Sequence, residues 1–486
     1  MSLNSQRVTH YEKNMNHPIV RRDFLRAALA GASAIALPSL IGGEAKPKAE
    51  KTRKSGKPAA FDSKKINIVC VGIGHMGSAA VAAARQENLV ALCDVDWRED
   101  KAIWGDRMPA RFAAENPQAK KFSDYREMLE QMGDKIDAVF VSTPDHSHFP
   151  ATLAAMEKGK HVFVQKPMTH NIWQARTLQK AMHRYGVQTV MGNQGHCSEG
   201  IRLIKEWFDA GILGEVREVH CWTDRPVPPW FIKPASNPPA SETAPAGLDW
   251  DLWQGPNNAR PYATDYLPQR WRGWWDYGVG SLGDIGCHCL DAPFWALQLG
   301  MPTSVEVALE EPANNQFTPF GAHVTYHFPA RGTLPPVKLH WWEGKPRPEK
   351  LPGMKELPTN GMYMIGSKET LYHNDMRPNS PRLWPLERMT HYGDVLKKRP
   401  LPRVSGGPFE ELIRAIKGEG PKPGSNFDYA APLTEVVLLG GLAIRTGKRI
   451  EWDAAGMKVT NLWGMEDYIK EPARTGWRYG EGLWKA

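Results

Sequence analysis

Cysteine is scarce in this chain, with six residues in 486, at positions 70, 93, 197, 221, 287 and 289. Disulfide frameworks belong to small secreted domains with too little core, and a chain of this length has no need of one. Cys70 and Cys93 lie in apolar runs and read as buried thiols. An excess of charge is also missing from the body of the protein. The net charge of +8 is already present in residues 1–65, which hold 13 of the 61 Lys and Arg and 5 of the 53 Asp and Glu, leaving 48 of each sign. A body balanced in this way has no general pull on polyanions, which argues against a nucleic-acid partner. Past the N-terminal segment no apolar run is long enough to argue a membrane span, for which about 20 residues are needed. Internal repeats are absent too.

What is there begins with a leader. VRRDFLRAALAGASAIALPSLIGG carries Arg21 and Arg22, a basic Arg26 and an apolar, Ala-rich run to Ile41. A charged region before a short apolar one is a secretory leader, and the twin arginines mark the Tat route. Val20 stands where Ser or Thr is usual, and Gly43-Glu44-Ala45 offers a small-x-small cleavage site. The expected layout is a signal peptide over 1–45, a linker over 46–64, a dinucleotide-binding domain over 65–192, a substrate and oligomerisation domain over 193–450, and a C-terminal arm over 451–486. Localisation is expected to be periplasmic or otherwise exported.

KINIVCVGIGHMGSAAVAAARQ, residues 65–86, places G-x-G-x-x-G (Gly72, Gly74, His75, Met76, Gly77) between a buried strand and a helix. After the next strand comes Asp94, 17 residues beyond Gly77. That context turns a weak motif into a strong dinucleotide signature. Gly72 permits the tight turn, Gly74 lets backbone approach a pyrophosphate, and Gly77 allows close helix–strand packing. Asp94 suits the adenosine ribose and favours NAD, while Arg98 would let NADP in by pairing with its 2′-phosphate. Strands over 137–144, 161–167 and 187–196 alternate with helices over 149–158 and 171–185, the pattern of a doubly wound parallel sheet. Ligands bind beyond the carboxyl ends of such strands, where Ser142, Thr143, Pro144, Asp145, His148, Gln165, Lys166, Asn193 and Gln194 fall.

GSLGDIGCHCLD, residues 280–291, raises the question of a metal. In neither helix nor strand do Cys287, His288 and Cys289 converge on one ion, so no metal is expected. A helix instead puts Asp284 and His288 on one face. Such a His suits proton removal near neutral pH. The Asp either binds a second hydroxyl or orients the imidazole. Upstream, Trp271, Arg272, Trp274 and Trp275 form an aromatic cluster able to stack on sugar rings, or simply to fill a core. Residues 226–248 are dense in proline and read as a long loop, and 427–447 as a helix with Pro432 near its first turn.

With GIGHMG, STPDHSH, HVFVQKP, GNQGH and GDIGCHCLD in this order, the chain resembles the Gfo/Idh/MocA family (glucose–fructose oxidoreductase, inositol dehydrogenase and MocA), specifically an exported Tat-dependent subgroup. The resemblance covers roughly residues 65–450. It implies an α/β fold: an N-terminal Rossmann doubly wound parallel sheet, then a C-terminal α/β domain with a large open, mostly antiparallel sheet whose outer face makes oligomer contacts. It implies catalysis by Lys166, Asp284 and His288, with the His as acid/base and Lys166 touching substrate hydroxyl and nicotinamide. Gln165 stands where the family has glutamate, which leaves the lysine without its usual neighbouring charge. The expected substrate is a small carbohydrate, held by Lys166, Trp271, Arg272, Trp274, Asp284 and His288. The expected activity is oxidation of a secondary alcohol of a sugar, glycoside or polyol by tightly bound NAD. An NAD-dependent glycoside hydrolase or lyase working through transient oxidation is the alternative, and a cofactor-holding protein without turnover a third. A cis Lys166–Pro167 peptide is also expected.

Overall fold

A computed structural model describes residues 62–485. The leader, its twin arginines and nearly all of the linker lie outside the described residues. The first sheet has six parallel strands in the order β3-β2-β1-β4-β5-β6. They are β1 (Asn67–Val71), β2 (Asn88–Cys93), β3 (Lys120–Phe122), β4 (Ala138–Val141), β5 (His161–Val164) and β6 (Thr189–Met191). All but the edge strand β3, whose Lys120 and Lys121 are exposed, bury both faces and read as mainly apolar runs. In β1, Ile68 and Cys70 face one core with Phe140 and Phe163, while Val69 and Val71 face the other. Three-residue β3 carries no legible sequence signal, which is why the sequence pattern misses it.

Strands expected to run to residues 144, 167 and 196 stop at Val141, Val164 and Met191. The residues beyond them turn away from the sheet and carry the site. Helix α1 (Gly77–Ala84) follows the glycine loop, α2 (Asp145–Glu157) opens one residue after Pro144, and α3 (Ile172–Tyr185) is capped by Asn171, whose side chain accepts from the Gln174 amide. The Lys166–Pro167 peptide is cis.

The second sheet has nine strands, ordered β13-β12-β11-β7-β10-β9-β8-β14-β15. Only β7 (Val216–Thr223) and β10 (Val337–Gly344) run parallel, with His220 opposite His340. The other pairings, through β8 (Ser304–Leu309), β9 (Gly321–Phe328), β11 (Gly361–Gly366), β12 (Thr370–His373), β13 (Arg382–Trp384), β14 (Ile450–Asp453) and β15 (Lys458–Val459), are antiparallel. Buried and more exposed residues alternate along β10 and along β9 from Ala322 onward, with Val324, Tyr326, Leu339 and Trp341 inward, as a half-buried sheet requires.

Helix α4 (Phe427–Thr446) joins the two layers, packing on α3, β6, β8 and β9. It starts at Phe427 behind an Asn426 cap, so Pro432 sits inside the helix rather than at its start. Its length and apolarity suit a membrane span, yet 83% of that stretch is buried inside the protein, which makes it a core helix. A side chain at Gly440 would collide with the Tyr326 hydroxyl, so glycine sets how closely α4 approaches the second sheet. All six cysteines are buried and unpaired.

Candidate active site

Asp284 lies in a turn of π-helix, Leu282–Gly286, that runs into a short α-turn, Cys287–Cys289. The i, i+4 helix expected here therefore contains an inserted residue, a deformation often found at functional sites. Three cations converge on this one carboxylate. Lys166 donates to Asp284 Oδ1 at 3.0 Å and also to its carbonyl. Arg272 Nε donates to Oδ1 at 3.2 Å, and Arg225 to Oδ2. All four side chains are at least 85% buried. Burial opposes ionisation of Asp284, but Lys166, then Arg272 and Arg225, outweigh it and hold the carboxyl well below its usual range.

His288 does not lean on Asp284. Its Nδ1 meets the side-chain oxygen of Asn193 at 3.0 Å. With the amide oxygen facing the ring, Nδ1 carries the proton and Nε2 keeps its lone pair. Burial first, then Arg377 and Lys166, push the imidazole well below its ordinary value. This corrects two expectations. Asn193, not Asp284, orients the ring, and the ring is a neutral base rather than a group titrating near neutrality. Lys166 differs in its partner as well. Gln165 makes no hydrogen bond to it, and Gln165 Nε2 is buried without a partner among the described residues. The counter-charge that a glutamate would bring comes instead from Asp284.

The cofactor cradle sits at the strand ends. Gly72 has φ +74°, and a Cβ there would lie 2.7 Å from the Thr143 amide. A Cβ on Gly77 would strike the Gly72 carbonyl. Gly74 faces the Trp104 indole, 2.6 Å from where its Cβ would be, so a side chain rather than open space lies over this glycine. Asp94 accepts from the amides of Ile73 at 2.8 Å and Asp96 at 3.0 Å, tying the loop to β2. Burial lifts its carboxyl to about 6. Arg98 is held by Asp96 through two bonds of 2.8 and 2.6 Å. Its charge is therefore spent, which corrects its expected role toward a 2′-phosphate and suits NAD. Four polar atoms around these strand ends, Ser142 Oγ, Thr143 Oγ1, Gln165 Nε2 and Asn193 Nδ2, are buried and unsatisfied among the described residues. Such groups cost free energy unless something bonds them, and a bound dinucleotide would offer them donors and acceptors. The residues present fit NAD.

Other expected contacts fall elsewhere. His148 sets one nitrogen 2.7 Å from the Pro167 carbonyl and the other 2.8 Å from the Thr143 carbonyl; burial keeps the ring neutral, so it donates to one of them, and neither nitrogen is open to a cofactor. His146 and His196 are likewise structural, on the Trp253 carbonyl and on Asp291. His75 packs against Trp104 and meets Gln269. Burial, with Arg272 and Arg107, lowers it to about 4. Met76 is exposed. Trp274 is 1% exposed, packed against Tyr266 and Phe317 with its Nε1 on the Asp265 carbonyl. Nothing reaches it, so its substrate role is withdrawn. Trp271 sits in the same aromatic cluster with the Arg272 guanidinium 4.4 Å over its ring. It positions Arg272, and only Arg272 of that stretch reaches Asp284.

Sequence reasoning missed Arg225, Arg377 and the role of Asp145. Arg225 follows β7 at the head of the proline-rich loop and stacks 3.7 Å over Trp230. Asp145 is buried among Lys166, Arg272 and His170, and burial lifts its carboxyl to about 7 against those cations. No local motif announces either arginine.

Residues 66–193 match the Gfo/Idh/MocA profile described as an oxidoreductase family with an NAD-binding Rossmann fold. Residues 201–328 match the C-terminal alpha/beta domain of that family. The uncharacterized oxidoreductase YdgJ of Escherichia coli K12 is 25% identical over 368 residues, 74% of this chain and 86% of that protein. A glycosyl hydrolase family 109 protein of Saccharopolyspora erythraea is 24% identical over 220 residues, 42% of this chain and 46% of the relative. The WlbA dehydrogenase of Bordetella pertussis, solved with NADH and UDP-GlcNAcA, aligns with TM-score 0.54 at 18% identity over 80% of this chain and 99% of that one. Levoglucosan dehydrogenase, solved with NADH and L-sorbose, gives 0.52 at 15% identity over 79% and 98%. These solved structures share the fold.

Proposed function

Because the chain belongs to the Gfo/Idh/MocA family of NAD-binding oxidoreductases, we propose that it oxidises a secondary alcohol of a sugar, glycoside or polyol with a tightly held NAD. The observation that carries this reading is the pairing of a neutral His288, with its tautomer set by Asn193, and a Lys166 anchored by Asp284. Bound NAD would accept the hydride from the carbinol carbon. His288 Nε2 takes the hydroxyl proton, which leaves a carbonyl. Lys166 steadies the oxygen as its negative charge grows, and Asp284 keeps the ammonium in place. Arg272 and Arg225 in turn keep Asp284 ionised. Asn193 holds the ring plane while the imidazole passes between neutral and charged forms.

The leader supports export through the Tat route, which carries folded proteins. NAD would then be loaded before export and would cycle without leaving. A second carbonyl compound would reoxidise it, giving ping-pong kinetics. Mass spectrometry of a glycoside panel after incubation with cofactor-loaded protein tests the reaction. A keto-sugar still joined to its aglycone is expected. Release of both halves would establish the second reading, a glycosidase acting through transient oxidation, which the glycosyl hydrolase family 109 relatives favour. Cell fractionation of the native protein and an Arg21→Lys, Arg22→Lys variant tests export, and the variant is expected to stay in the cytoplasm. Light scattering tests the homo-oligomer that the family resemblance implies.

A further inference from the structure

Arg377 is the cation the chemistry above leaves unused. It lies between β12 and β13, and its stem packs against Gly195, in the turn that begins at Asn193. The neighbouring Met376 carbonyl meets the thiol of Cys289, the residue after His288. The loop therefore brings Arg377 beside the turn that follows Asn193 and beside the chain that follows His288, close enough for its charge to act on the imidazole. Among the described residues its guanidinium has no ion-pair partner, and its Nε is buried without a hydrogen bond. Asp375, two residues before it, accepts instead from the Met376 amide at 2.7 Å and the Asn379 side chain at 2.9 Å. Asp284 already serves three cations.

The electrostatic balance of the cavity is thus one-sided. Lys166, Arg225, Arg272 and Arg377 gather around Asp284 and His288. Two other carboxyls lie near: Asp145 is lifted by burial to about 7, and Asp375 acts on Arg377 only from beyond ion-pair distance, so they only partly offset these cations. Burial pulls Arg377 below its ordinary value, and burial, then Arg377, depress His288. A guanidinium held half out of water with no carboxylate in ion-pair contact among the described residues costs free energy that an arriving anion recovers.

We propose that Arg377 forms an anion subsite beside His288, so that the sugar oxidised here carries a carboxylate or a phosphate. The planar guanidinium fork suits either group, binding it through two parallel bonds. The anion would dock on Arg377 while the carbinol lies between His288 and Lys166. This rests on the oxidoreductase reading for its chemistry, and on Arg377 alone for its recognition.

The test compares glucose, glucuronate and glucose 6-phosphate, and their methyl glycosides, with the cofactor-loaded full chain. Binding is read by calorimetry and turnover by nicotinamide absorbance. One anionic sugar is expected to exceed its neutral counterpart in affinity and in kcat/KM, with glucuronate or glucose 6-phosphate in the lead identifying carboxylate or phosphate. The preference should shrink as salt is raised. Arg377→Ala should cut the anionic-to-neutral ratio roughly 10- to 100-fold, as loss of a charged hydrogen bond does. Arg377→Lys should recover part of it and guards against a misfolded Ala variant. Equal fall for neutral and anionic sugars would make Arg377 structural and overturn the subsite. So would a loss of NAD affinity with the ratio unchanged, or a wild-type protein that prefers neutral sugars. If the anionic sugar binds through Arg377 but is cleaved or left unoxidised, the subsite stands and the oxidoreductase reading falls.

Discussion

Residues 271–275 and residues 284–288 are neighbours in sequence, and both looked like substrate contacts. Their fates differ. Trp274 and Trp275 are almost fully enclosed, with indole nitrogens bonded to the carbonyls of Asp265 and Asn314. Asp284 and His288 are just as buried, yet one carries three cations and the other a bonded amide. A buried tryptophan needs nothing more than its surroundings give, because burial is itself favourable. A buried carboxylate ringed by lysine and arginine is maintained against a desolvation cost, and such groups cluster where chemistry is done. Aromatic density marks a wall here and charge density marks the site.

The sharpest way to break that contrast is to remove the reacting groups. Lys166→Ala and His288→Ala are each expected to lower kcat by roughly 10³-fold, within the range for a lost acid–base group, while NAD still binds in a fluorescence titration. Near-normal turnover in either variant would return the site to being one more packed interior. The aromatic wall should answer differently. Trp274→Ala is expected to cost about 3–5 kcal/mol in a denaturant melt, as large core truncations do, with KM unchanged for the molecules that remain folded. A raised KM without loss of stability would make Trp274 a sugar contact after all.

A pH series separates the two regions more finely. The Asp145 carboxyl is raised in the folded state to about 7, above an unfolded value of about 3.9. The folded protein therefore binds the proton more tightly, and stability falls as pH rises from about 4 to about 7. Asp145→Asn removes this penalty and should be the more stable protein at pH 8, with the advantage fading toward pH 4. Trp274→Ala should show no such trend. An Asp145→Asn advantage that is flat across pH would mean the carboxyl is not strained by burial. The smallest expected effect is at Arg98. Held by Asp96, it should leave the NAD-to-NADP affinity ratio within about threefold when replaced by Ala, under 1 kcal/mol. A larger shift would reinstate it as a 2′-phosphate contact.

The site is partly legible in the sequence. Gly72, Gly77 and Asp94 take the places their motif requires, because a tight turn and a close helix are properties of backbone and of the few residues around it. Lys166, Asp284 and His288 were singled out by the family resemblance, but the ion pair that joins Lys166 to Asp284 was not. Arg225 and Arg377 are not legible. They enter from loops near β7 and β12, far in sequence from Asp284, and arginine in a loop is ordinarily a solvated charge. His148 is misleading for the same reason in reverse. Its position at a strand end suggests a ligand, and only the fold brings the Thr143 and Pro167 carbonyls onto both its nitrogens.

By itself the sequence determined the alternation of strand and helix, the dinucleotide loop and its acidic partner, and the residues available for proton transfer. These depend on periodicity and short spacings, which act within a few turns of chain. Tertiary structure alone decided which charges are spent and which remain. It gave Arg98 to Asp96, Lys166 to Asp284 and the His288 ring to Asn193, while Arg377 was left without a partner among the described residues. Ionisation, tautomer and recognition are set by distance and burial, and those exist only once remote loops have closed on the strand ends.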